Sequence, residues 1–124
     1  MDAKILIVDD DTDYCRVLRV LLERRGYTVL ERHDPAAGLT ALLGVRPDVV
    51  ILDVLMPRGG GRLFFETARR DERFRRLPIV VVTGWEADES VFERLGSQPD
   101  PHTLVLRKPF EPERLDGLLR SFLR

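Results

Sequence analysis

Cysteine occurs once, at Cys15, so no internal disulfide can staple this chain. Lysine is almost as scarce: Lys4 and Lys108 are the only two among 20 basic residues, the rest being arginine. Neither sign of charge prevails. The 20 basic and 21 acidic residues leave a formal charge of -1, which excludes a protein-wide field favouring nucleic acid or an anionic membrane. No apolar run approaches the roughly 20 residues that span a bilayer. Asp9, Asp10, Asp11 and Asp13 end the first apolar stretch too early for a secretory signal. Repeats, low-complexity tracts and Gly/Pro-rich linkers are also missing. The expectation is a soluble, cytoplasmic protein with no membrane partner and no direct nucleic-acid partner. With 124 residues, 44% of them hydrophobic and 33% charged, the chain can hide roughly two-thirds of its unfolded surface in one core, so a single domain over residues 1–124 is expected.

Short β-branched runs alternate with longer stretches of helical period, the pattern of a parallel sheet wrapped by helices. Strands are expected at Lys4 to Val8, Thr28 to Glu31, Val49 to Leu52, Ile79 to Val82 and Leu104 to Leu106. Near-continuous apolarity marks them as buried on both faces; the second, trailed by Glu31 and Arg32, reads as an edge. Tyr14, Leu18, Leu21, Leu22 and Arg25 recur at helical spacing before Gly26, and Asp34-Pro35 opens a second helix as N-cap and first-turn proline. Arg62 to Arg70 and Glu86 to Leu95 read as the third and fourth helices, and Leu115, Leu118, Leu119, Phe122 and Leu123 mark the fifth. The fold class is therefore α/β: a doubly wound five-stranded parallel sheet with five helices, a flavodoxin-like three-layer sandwich.

In such sheets ligands bind at the carboxyl ends of the strands. Strand one ends in Asp9-Asp10, strand three in Asp53, strand four in Thr83, and strand five in Lys108-Pro109. Converging carboxylates raise one another's pKa unless a cation joins them, and an oxygen-only donor set suits a hard divalent ion such as Mg²⁺. Add a hydroxyl and a lysine, and the set describes a site that takes up a phosphoryl group. The plainer alternative is that acidic residues after strands are turn formers or caps, a role expected of Asp11 or Thr12 at the first helix.

These positions resemble the receiver domain of response regulators, the phosphoacceptor half of two-component signalling. The resemblance rests on Ile7-Val8-Asp9-Asp10, on Leu52-Asp53-Val54-Leu55-Met56-Pro57 with Gly61 beyond, on Val82-Thr83-Gly84, and on Lys108-Pro109-Phe110, and it covers essentially the whole chain. It implies that Asp53 is phosphorylated by a phosphohistidine on a sensor histidine kinase or histidine phosphotransfer protein. It further implies that Asp9, Asp10, Asp53 and the Leu55 carbonyl hold Mg²⁺, and that Thr83 and Lys108 serve the phosphoryl group. A cis Lys108-Pro109 bond belongs to the same expectation. The output would be a changed surface read by an unidentified downstream protein rather than a released product, so the chain is not expected to be an enzyme in the usual sense. The fourth helix, fifth strand and fifth helix form a candidate dimer face.

The chain departs from the family pattern at several points. Val105 stands where an aromatic switch residue is usual. Ser97-Gln98-Pro99-Asp100-Pro101-His102 lengthens the turn into strand five, and Gly59-Gly60-Gly61 reads as a permissive loop after Asp53. Bulky Leu55 and Trp85 should shield a phosphoaspartate from water and slow its loss. The arginines at 69, 70, 73, 75 and 76, interrupted by Asp71 and Glu72, read as a solvated face. His33 and His102 read as surface residues and Cys15 as a small buried hydrophobe. Competing readings are a receiver-like adaptor that signals without phosphate, a receiver excised from a larger DNA-binding regulator or hybrid kinase, and an aspartyl-phosphate hydrolase. The hydrolase reading is disfavoured by Leu55 where a second aspartate would be needed.

Overall fold

The computed structural model describes residues 3–84 and 90–123. Five parallel strands form one sheet: β1 (Lys4–Val8), β2 (Thr28–Arg32), β3 (Val49–Asp53), β4 (Ile79–Thr83) and β5 (Thr103–Arg107). Their spatial order is β2-β1-β3-β4-β5, which leaves β2 at an edge, as its polar tail suggests. The helices are α1 (Thr12–Glu23), α2 (Pro35–Val45), α3 (Gly60–Arg70), α4 (Val91–Leu95) and α5 (Pro112–Phe122). The expected start of the fourth helix at Glu86 lies outside the described residues, as does Trp85.

Continuous apolar strands conceal a two-residue alternation that divides the core. Leu6, Val8, Val50, Leu52, Ile79 and Val81 pack with α2, α3 and α4 through Leu42, Phe64, Phe65, Phe92 and Leu95. Ile5, Ile7, Val49, Ile51, Val80, Val82 and Leu106 pack with α1 and α5 through Cys15, Leu18, Leu22, Leu115 and Leu119. Each layer closes only because the alternate residues of one strand serve opposite sides.

Local chemistry sets the helix ends. The Asp11 carboxylate accepts the Tyr14 N–H at 3.0 Å, and Asp34 accepts the Ala37 N–H at 2.8 Å, so both helices start on side-chain caps. The second helix passes through Gly44 and ends one residue later at Val45, with Arg46 taking a left-handed φ of 53°. The glycine run departs most from expectation. Gly59 takes a φ of 69°, but Gly60 and Gly61 belong to the first turn of α3 and are buried. A Cβ on Gly60 would lie 2.8 Å from the Pro35 ring, and one on Gly61 would collide with the Val54 carbonyl oxygen. These glycines allow close approach rather than slack.

The basic stretch needs a similar correction, because Arg69 is not part of a solvated face. Its side chain is only 10% exposed and reaches from the end of α3 to the turn before β5. There it donates to Asp100 Oδ2 at 3.3 Å, Thr103 Oγ1 at 2.7 Å and the carbonyls of Phe74 and His102 at 2.8 and 3.1 Å. The inserted Ser97–His102 segment is thus anchored, with Asp100 also accepting the His102 N–H at 2.8 Å. On the opposite side, Asp116 of α5 accepts from Tyr27 at 2.7 Å and Arg25 at 3.1 Å, tying α5 to the turn between α1 and β2. No described helix is long and apolar enough to cross a membrane.

Candidate functional site

Strand register brings the polar ends level. Val8 lies opposite Leu52, Asp53 opposite Val82, and Thr83 opposite Arg107, so the residues that follow or close these strands emerge along one edge. Alternation sorts them by side. Asp53 shares the parity of Val49 and Ile51 and so belongs to the α1/α5 layer, whereas Thr83, with the parity of Ile79 and Val81, belongs to the α3/α4 layer. The β1/β3 junction is also where successive connections turn to opposite sides of the sheet, the place where this topology leaves a crevice.

Asp9, Asp10 and Asp53 each offer a carboxylate oxygen within 4.8 Å of the others. Asp9 is 3% exposed and Asp53 is 9% exposed, while Asp10 faces solvent. Lys108 answers them, with Nζ 3.2 Å from Asp9 Oδ2. The other Asp9 oxygen accepts the Asp11 N–H at 3.0 Å, and Asp53 Oδ1 accepts the Leu55 N–H at 3.1 Å. Leu55 itself is exposed, and Thr83 is fully buried. The Lys108 N–H donates to the Thr83 carbonyl at 2.7 Å, and the Lys108-Pro109 bond is cis as expected.

Burial, and then the negative charge of Asp9, push the Asp53 carboxyl up from 3.8 to about 6 despite the Leu55 N–H and Lys108. That is the cost of burying one acid and setting a second beside it, and it is an environment in which a hard cation gains from oxygen donors. The donor set therefore fits Mg²⁺: charged oxygens, with one solvent-facing carboxylate able to leave room for water ligands.

Every site residue expected from the sequence lies at this edge of the sheet. Two neighbours were not recognised from the sequence as belonging to it. Tyr14, read as a core-facing helix position, has its ring centroid 4.1 Å from Lys108 Nζ. Burial, then Asp9 and Asp53, hold its phenol well above the usual range. The sequence signal was an aromatic residue on the first helical turn after the acidic pair. Cys15 is buried as expected, but its Sγ also lies 3.4 Å from the Asp9 carbonyl, and burial raises its thiol to about 12. His33 is only half exposed and pairs with Glu31 at 2.9 Å.

Comparison with known proteins agrees with this geometry. Residues 5–120 match the response regulator receiver domain family. Response regulator MprA of Mycobacterium ulcerans is 38% identical over 125 residues, covering 100% of this chain and 51% of that protein. The DNA-binding dual master transcriptional regulator RpaA of Synechocystis is 30% identical over 98% of this chain and 49% of its own length. The chain thus spans about half the length of these curated relatives. Among solved structures, the chemotaxis response regulator CheY4 of Vibrio cholerae superposes with a TM-score of 0.84 at 30% identity, covering 99% of this chain and 100% of that one. Sequence, fold and strand-end chemistry converge, and the chain belongs to the response regulator receiver domains of two-component signalling.

Proposed function

We propose that the chain accepts a phosphoryl group on Asp53 from a phosphohistidine and signals by the resulting change of surface. The carrying observation is the meeting of Asp9, Asp10 and Asp53 within 4.8 Å, with the Lys108 ammonium 3.2 Å from Asp9. An Asp53 carboxylate oxygen attacks phosphorus, the phosphorus–nitrogen bond of the donor breaks, and the imidazole departs with the electron pair. The Leu55 N–H holds the other end of the nucleophile's orientation through Oδ1. Asp9, Asp10, Asp53 and the Leu55 carbonyl are the proposed Mg²⁺ ligands, and the bound ion would supply charge neutralisation on the phosphoryl oxygens.

Lys108 then pairs with a phosphoryl oxygen, and the Thr83 hydroxyl donates to another. Because Asp53 and Thr83 belong to opposite layers of the sheet, their joint engagement links the α1/α5 side to the α3/α4 side. The new group carries nearly two negative charges and favours any backbone arrangement that brings donors toward it. In this reading residues 1–124 act as one receiver unit in the cytoplasm. Its donor is a sensor kinase or phosphotransfer protein, its output is a protein contact, and α4, β5 and α5 offer a face for self-association.

Intact-mass analysis after incubation with acetyl phosphate tests the reading. Wild type with Mg²⁺ should gain one phosphoryl group, while Asp53→Ala or removal of Mg²⁺ should abolish the gain. Undiminished gain in Asp53→Ala, or none in wild type, overturns it.

A further inference from the structure

The Lys108 ammonium is in contact with two groups, one at the end of β1 and one on α1. Asp9, just beyond β1, lies 3.2 Å from Nζ, and the Tyr14 ring on the first turn of α1 presents its centroid at 4.1 Å. That turn is itself pinned to the strand end. The Asp11 carboxylate caps the Tyr14 N–H at 3.0 Å, and Cys15 Sγ contacts the Asp9 carbonyl at 3.4 Å.

The two contacts are not equivalent. Asp9 attracts the ammonium but also offsets its charge, so Asp9 alone would leave Lys108 less cation to offer an arriving anion. An aromatic face attracts the same cation through its quadrupole and carries no net charge, so it confines the ammonium without neutralising it. Lysine is a compact cation on a flexible four-carbon stem, so holding it in place has to come from such neighbours.

We propose that Tyr14 is a positioning residue whose ring holds the Lys108 ammonium at the mouth of the acidic cluster, ready for an anionic group arriving at Asp53. This rests on the phosphoacceptor reading above. The hydroxyl is not required; the ring face is. Tyr14→Phe preserves that face, whereas Tyr14→Leu keeps apolar bulk and removes it.

Two readouts decide the matter. The first is the proton chemical shift of the Lys108 ε-methylene, displaced by the ring current in wild type and Tyr14→Phe and relieved in Tyr14→Leu. The second is the rate of mass gain from acetyl phosphate at fixed Mg²⁺, measured with Lys108 present and in Lys108→Ala. With Lys108 present, Tyr14→Phe should match wild type and Tyr14→Leu should be slower by on the order of threefold to tenfold, the worth of a partly desolvated cation–π contact. In Lys108→Ala the Phe and Leu variants should be indistinguishable. Thermal melts confirm folding, and Tyr14→Met replaces Tyr14→Leu if the latter melts below the assay temperature.

Equal rates for the Phe and Leu variants, in a protein that does take up phosphate, overturn the role of Tyr14 alone. So does a Phe–Leu difference that persists in Lys108→Ala, or an ε-methylene shift that is the same in both. A wild type that gains no phosphoryl group overturns the phosphoacceptor reading, and this inference with it.

Discussion

Removing the charge of Asp53 should stabilise the metal-free protein. The carboxyl is buried beside Asp9 and is held at about 6 rather than 3.8. At neutral pH the folded state must therefore carry an anion in a place that disfavours it. Scaled by the displacement, the cost is about 3 kcal/mol, and the site's opening toward solvent reduces it to about 2 kcal/mol. Because the folded pKa exceeds the unfolded one, the folded state binds more protons between the two values, and stability falls as pH rises through that window. Asp53→Asn keeps the shape and an acceptor for the Leu55 N–H while removing the charge. In EDTA near pH 7.5 its melting midpoint should exceed wild type by roughly 6 to 10 °C. By pH 4.5 the advantage should shrink to roughly a third. Added Mg²⁺ should narrow it at neutral pH by stabilising the ionised wild type. Thermal melts across this pH range measure all three effects. Equal midpoints at pH 7.5 in EDTA, or a gap that does not change with pH, would refute the electrostatic reasoning.

Arg69→Ala should cost about 3 kcal/mol in urea denaturation, since it leaves Asp100 without its buried cation and removes the donor to Thr103 Oγ1 and one of the two donors to each of the Phe74 and His102 carbonyls. Two glycine substitutions should move in opposite directions. Gly61→Ala should destabilise by about 2 kcal/mol or more, because its Cβ would strike the Val54 carbonyl. In contrast, Gly117→Ala, inside α5 with open space around it, should stabilise by about 0.5 to 1 kcal/mol in the same assay.

The strands were legible because their apolarity is continuous and because Asp34-Pro35 and Gly26 punctuate the gaps between them. The acidic cluster was legible for a related reason. A parallel sheet brings the ends of its strands together, so Asp9, Asp53 and Lys108 could be placed side by side from order alone. What escaped sequence reading depends on partners far along the chain. Arg69 looks like one more arginine in a basic stretch until Asp100 and Thr103 fold over it. Tyr14 fits the helical period of a core residue, and nothing local shows that Lys108 will settle on its ring. The Gly59–Gly61 run suggested looseness because glycine permits it. Only the packed positions of the Pro35 ring and the Val54 carbonyl show that a side chain is crowded at Gly60 and excluded at Gly61.

The contact between Gly61 and the backbone just beyond Asp53 leaves no cushion between strand and helix. Side chains elsewhere in the interior can turn about their bonds and absorb a small displacement before it spreads. Here main chain rests on main chain, so no rotatable group stands between the end of β3 and the first turn of α3 to take up a small shift of either.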